Sequence, residues 1–123
     1  MRIPGFIARQ FYVAGSLRNT ATGFELQAQN PMGSGVIVGV GQLRVDGRDI
    51  DPATVTARRE GDPTAISARD VSAQNPVNVA KGDKVTLHVD GPLLPPGGHE
   101  LEVELEELNM GALSFAITDT VSG

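Results

Sequence analysis

An all-β fold, a single antiparallel β-sandwich of jelly-roll type with seven or eight strands, is the class this sequence predicts. Three observations carry the prediction. Glycine (15 residues) and proline (8 residues) recur along the 123-residue chain and divide it into short segments. Those segments are rich in β-branched residues and alternate apolar with polar positions, the period of a half-buried strand. Turn signals such as Asn30-Pro31-Met32-Gly33 and Asp46-Gly47 sit between them.

Taken in order, Ile7 to Val13 reads as a first strand, followed by the turn-rich Gly15-Ser16-Leu17-Arg18-Asn19-Thr20. Gly23 to Asn30 alternates cleanly, with Phe24, Leu26 and Ala28 on one side. Val36 to Val45 is a long strand, and Gly39 and Gly41 inside it signal a bulge or a close backbone approach. Asp46-Gly47 then makes a tight hairpin into Arg48-Asp49-Ile50. Val55 to Arg58 is a short strand. From Ser67 the chain has the spacing of a capped helix start, and Pro76 limits it to at most one short helix near residues 67–74. Val85 to Val89 alternates again, as do Gly98 to Leu108 and the final strand from Ala112 to Thr118. No internal repeat or linker interrupts the series, so residues 1–123 form one domain.

Composition narrows the function. Hydrophobic residues are 40% of the chain, enough to fold around a core. Aromatics are only 4%, with no Trp and one Tyr, which leaves few stacking platforms for sugars or bases. The net charge is −5 and the cations are scattered, which argues against nucleic acid and anionic membrane as partners. There is no cysteine, hence no disulfide framework and no thiolate chemistry. Nothing reads as a signal peptide or membrane span, and a cytoplasmic location is expected.

The stretch Gly98-His99-Glu100-Leu101-Glu102-Val103-Glu104-Leu105-Glu106-Glu107-Leu108 suggests an acid cluster beside a histidine. Strand parity separates them: Leu101, Val103 and Leu105 face inward with His99, whereas Glu100, Glu102 and Glu104 face out. His88 also faces out, and a hairpin between its strand and the acidic one would place it opposite Glu100 or Glu102. The phase slips at Glu106-Glu107, where either a bulge returns Leu108 inward or the strand ends at Glu106. Asp46 to Asp51 lacks the glycine and glutamate positions of a calcium loop. No phosphate cradle and no nucleophile elbow is present. The expectation is no catalytic residue and no metal ligand in this chain.

The loop Gly91-Pro92-Leu93-Leu94-Pro95-Pro96-Gly97-Gly98 carries two leucines on a proline-stiffened turn. They either tuck back as a lid on the core or dock on a partner. Ser16 to Thr20 followed by Gly23-Phe24, then Leu43-Arg44-Val45-Asp46-Gly47, then Leu94 to Val103, resemble in this order the small (β) subunits of bacterial C-glycoside deglycosidases. That resemblance implies a non-catalytic subunit supporting a larger TIM-barrel-like α subunit. The partner would hold a divalent metal, commonly manganese, and cleave the C–C bond of 3-oxo-C-glycosides by elimination. The resemblance transfers no catalytic residue, and no cofactor is expected in this chain. Leu93, Leu94, Pro95 and Pro96, with Tyr12 and Arg18, form the expected partner interface. The alternative is a free-standing carbohydrate-binding or homo-oligomeric structural sandwich.

Overall fold

In the computed structural model, which describes residues 1–122, two antiparallel sheets pack face to face. The first sheet has the order β1 (Arg18–Asn19), β2 (Gly23–Gln29), β8 (Lys84–Asp90), β5 (Val55–Arg59), β6 (Ile66–Ser67). The second runs β10 (Gly111–Val121), β9 (Gly97–Glu107), β3 (Gly35–Val45), β4 (Arg48–Ile50), with β7 (Val77–Val79) on the same edge of β3 as β4. The all-β sandwich is as expected. Ten strands are present among the described residues rather than seven or eight, because short pairings such as β1 and β6 carry too few residues to show alternation.

Alternation builds the core. Phe24 and Leu26 of β2, Val55 of β5 and Val89 of β8 face Leu43 and Val45 of β3, Leu101 of β9, and Ile117 and Val121 of β10, all of them buried. Leu17 and Leu94 close this cluster from the loops. Each such side chain contributes roughly 1.5–3 kcal/mol by leaving water.

Three expectations need correction. Ile7 to Val13 is not a strand. It forms a single α-turn, α1 (Gly5–Ala8), continued by a 3-10 turn over Arg9–Phe11, and only Tyr12 bridges to Ala28. The Pro4 carbonyl starts the turn by accepting the amides of Ile7 (3.0 Å) and Ala8 (2.8 Å). The helix expected near 67–74 shrinks to a 3-10 turn, Ala68–Asp70. Finally, β8 and β9 are not a hairpin. The Gly91–Pro96 loop crosses between the sheets, so His88 lies opposite Glu25 of β2 and Thr56 of β5, not Glu100 or Glu102.

The Asp46-Gly47 hairpin is as read: both residues have positive φ (53° and 80°), the geometry of a type I′ turn. The phase slip at Glu106-Glu107 also resolves. β9 pairs with β10 without interruption up to Glu107 opposite Gly111, so the strand ends there and contains no bulge. The irregularities lie across the ladder on β3, between Ile37 and Gly39 and between Val40 and Leu43. Gly39 and Gly41 make the close approach: a Cβ would stand 3.4 Å from Glu106 at the first and 3.1 Å from Glu104 at the second.

Candidate docking surface

The two ends of the sandwich differ. At one end the loops are bolted down. The Asn19 side chain donates to the Leu94 carbonyl (2.8 Å) and accepts the Leu94 amide (2.9 Å), which seats Leu94 in the core. His99 is buried, with Nδ1 2.6 Å from the Asp46 carboxylate and Nε2 2.7 Å from the Pro95 carbonyl. The other Asp46 oxygen accepts the Glu100 amide at 2.9 Å. The Asp46 contact, helped by the Pro95 carbonyl, raises the pKa of His99, while the His99 and Glu100 donors hold Asp46 below the usual carboxylate range.

A second bolt joins the first and last parts of the chain. The Tyr12 hydroxyl donates to Asp119, whose same oxygen accepts the amides of Gly15 (3.1 Å) and Leu17 (3.2 Å). Burial opposes the charge on Asp119, but the Tyr12 hydroxyl and the surrounding amides outweigh it and keep its carboxyl low. Burial and the Asp119 bond push Tyr12 far above the ordinary tyrosine range.

The opposite end is open. There β3 and β10 begin and β9 ends, and the inward-facing Ile37, Val40, Leu105, Val85 and Phe115 are only half-buried. Glu107 organises the turn. One carboxylate oxygen accepts the Val36 amide (2.9 Å), and the other accepts Asn109 (2.8 Å) and Met110 (2.9 Å). The Val36 amide first, then those of Asn109 and Met110, hold Glu107 below the usual carboxylate range. The turn so fixed projects Leu108 and Met110 into solvent, 59% and 58% exposed.

Two further apolar side chains reach the same end. Met1 is placed by its amine on the Ala112 carbonyl (2.6 Å) and by its carbonyl, which accepts the Ser114 amide (2.9 Å). Met32 rides the β2–β3 loop, which Asn30 ties to the carbonyls of Gly33 and Val79. Met1 and Met32 are 68% and 72% exposed. All three methionines of the chain therefore stand in solvent around one end. Thioether side chains adapt to irregular partners, and clustered exposed apolar groups mark interfaces. Exposed Glu104 and Glu106 flank this end on the outer face of β9 and give it an acidic rim.

The outer faces offer less. Glu100 and Glu104 are exposed as parity required, and no group of three or more metal-ligating side chains forms among the described residues. Arg2, Gln42, Arg44, Glu102, Glu104 and Ser114 line a shallow polar depression of mixed charge. On the other sheet, His88 Nε2 meets the hydroxyls of Thr20 (3.1 Å) and Thr22 (3.2 Å), while Asp90 stands 3.6 Å from Nδ1, too far for a hydrogen bond. No helix is long and apolar enough to cross a membrane among the described residues.

The residues read as a partner interface part company. Leu93 is 57% exposed, with Pro95 and Pro96 exposed beside it, whereas Leu94 and Tyr12 are buried. Arg18 is exposed and paired with Glu25. Sequence reasoning missed Met1, Met32, Leu108 and Met110. The signal for Leu108 and Met110 was the phase slip itself, since a strand ending at Glu107 leaves both on a turn.

The model of one family matches residues 7–122: hydroxymethylglutaryl-CoA reductase, N-terminal domain. No curated protein matches the chain. The family match overturns the resemblance to C-glycoside deglycosidase small subunits, and with it the lyase function, and it lends no support to the carbohydrate-binding or homo-oligomeric alternatives. The phrases behind that resemblance have fold-level reasons to exist. Asn19 clamps Leu94, Asp46-Gly47 makes a type I′ turn that bonds His99, and Leu101 to Leu105 is a core strand. The barrel partner and its manganese were implied by that resemblance alone and lose that support. The match extends over almost the whole sequence: the chain belongs to the hydroxymethylglutaryl-CoA reductase N-terminal domain family.

Proposed function

We propose that this chain is a non-catalytic domain of a hydroxymethylglutaryl-CoA reductase system, and that it docks on the catalytic part of the reductase through the open end of its sandwich. The observation that carries the reading is the gathering of Met1, Met32, Leu108 and Met110, all exposed, around one end where the core is half-covered. A family described as the N-terminal domain of a reductase supplies the occupant. The acidic rim at Glu104 and Glu106 favours a partner surface with an apolar centre and basic margins, since rim charges steer and align association. In this reading the partner supplies the reducing chemistry and any cofactor. The same reading assigns the chain a cytoplasmic setting, shared with the catalytic part it docks on.

Size-exclusion chromatography of the chain mixed with the catalytic part of a hydroxymethylglutaryl-CoA reductase from the same genome tests this. Co-elution is expected. A Leu108→Asp/Met110→Asp double variant should bind at least about tenfold more weakly, as for truncation of central apolar anchors. Equal binding by the double variant overturns the surface, absence of any complex overturns the docking role, and reduction of hydroxymethylglutaryl-CoA by the isolated chain overturns the non-catalytic assignment.

A further inference from the structure

At the bolted end of the sandwich, away from the docking surface, we infer that His99 is a proton-dependent latch: its doubly protonated ring holds the Pro95–Pro96 part of the crossover against the β3–β4 turn, and loss of one proton frees that part. Both ring nitrogens of His99 face acceptors, the Asp46 carboxylate at 2.6 Å and the Pro95 carbonyl at 2.7 Å. A neutral imidazole has one N–H and serves one of them; the imidazolium has two and serves both. The carboxylate is the stronger acceptor and keeps its proton, so deprotonation strands the Pro95 carbonyl.

The surroundings make the charge state consequential. The His99 side chain is 5% exposed, so water does not replace the lost bond while the loop stays in place. Asp46 is anchored independently, by its amide on the Glu100 carbonyl (2.9 Å) and by its second oxygen on the Glu100 amide, so the loop is the side that yields. Upstream the loop is held by the Asn19 clamp and the core-packed Leu94 side chain, whereas Pro95 and Pro96 beyond them are exposed. The charged groups facing His99 are few. The β3–β4 turn contributes Asp46, which favours the imidazolium, and Arg48, which opposes it. β10 contributes Asp119 at the cross-strand position, its carboxylate engaged by Tyr12, Gly15 and Leu17. Glu100, next on the strand, points outward.

The sign follows from the two partners. The latch is closed while Asp46 is ionised and His99 is protonated. His99 is raised above its ordinary value, so the latch stays closed to higher pH than an ordinary histidine would allow and opens as pH rises through the raised value. Asp46 is lowered, so acid opens the latch only below the usual carboxylate range. Opening moves Pro95 and Pro96, leaves Leu94 in its Asn19 clamp, and leaves the far end of the sandwich unchanged.

The test is an NMR titration of the full chain in a His88→Gln background, which leaves one imidazole. Backbone mobility at Gly97, just past the latch, is followed beside it by the heteronuclear Overhauser effect, with the clamped Leu94 as the fixed reference. The expected result is two protected ring N–H signals below the ring midpoint, a ring titration displaced upward, and Gly97 mobility rising with the same midpoint while Leu94 stays rigid. An Asp46→Asn substitution should bring both midpoints down together. The inference is overturned if the ring shows one N–H below its midpoint, or if Gly97 mobility does not follow that midpoint. It is equally overturned if Asp46→Asn moves the ring titration without moving the Gly97 response.

Discussion

Leu93 and Leu94 are neighbours on one loop, and truncating each to alanine should have opposite consequences. Leu94 is 5% exposed and packed in the core cluster, with both its backbone groups held by Asn19. Leucine-to-alanine changes at such sites cost about 3 kcal/mol, with a range of roughly 2–5 set by how far the cavity collapses. Collapse should be small here, because the Asn19 clamp and the prolines fix the backbone around the hole. Leu93 is 57% exposed, and its loss should cost no more than about 0.5 kcal/mol. With a urea m-value of about 1.5 kcal/mol/M for a domain of this size, Leu94→Ala lowers the denaturation midpoint by about 2 M, and Leu93→Ala by less than about 0.4 M. Equilibrium urea unfolding followed by far-ultraviolet circular dichroism reads both. Similar midpoint shifts for the two variants would refute the placement of Leu94 under the crossover, as would a Leu94→Ala cost below about 1 kcal/mol.

Two more outcomes follow from backbone geometry and titration. A Cβ at Gly23 would stand 1.9 Å from the Val89 carbonyl oxygen, so Gly23→Ala should push β2 off β8 and abolish a folded, monodisperse product, whereas Gly98→Ala, with open space around it and no positive φ, should express normally; comparable yields and exchange-protected β2 amides in both would contradict this. Tyr12 is the single tyrosine of a Trp-free chain, so its ultraviolet absorbance reports one group. Its raised pKa contributes stability that is complete below the unfolded value and fades as pH rises toward the folded one, so the tyrosinate band should appear together with loss of β-structure rather than near pH 10 in a folded protein. Asp119→Asn should bring that band to lower pH.

The fold was largely legible because alternation and turn chemistry are local. The hairpin at Asp46-Gly47, the close approach at Gly39 and Gly41, and the inward parity of His99 each depend on a few consecutive residues. Pairing between distant strands is not local. Parity is satisfied equally by a β8–β9 hairpin and by a crossover, and the Gly91–Pro96 loop is long enough for either. The choice falls to the crossover because Leu94 fits a core vacancy at Asn19, 75 residues away in sequence. Ile7 to Val13 misled for a related reason: its apolar content fits a strand, but the Pro4 carbonyl captures the next amides locally. The docking surface was half visible. Glu107 has the inward parity of Leu105, and a buried acid must find donors; the sequence did not reveal that one of them is the Val36 amide, from a strand 71 residues earlier. The family resemblance failed because it rested on turn phrases, which many sandwiches need for the same mechanical reasons.

The tie between Tyr12 and Asp119 also has a consequence in time. The two residues are 107 positions apart, and Asp119 sits on β10, the final strand of the sandwich in chain order. Until β10 exists, the N-terminal segment has only its bridge to β2 and lacks the Asp119 anchor, and β9 has an open edge. Vectorial synthesis therefore cannot complete this domain in stages from its beginning. The nascent domain leaves the Tyr12 segment waiting for β10, and throughout that interval its apolar strands are open to a chaperone, or to the partner it is proposed to join.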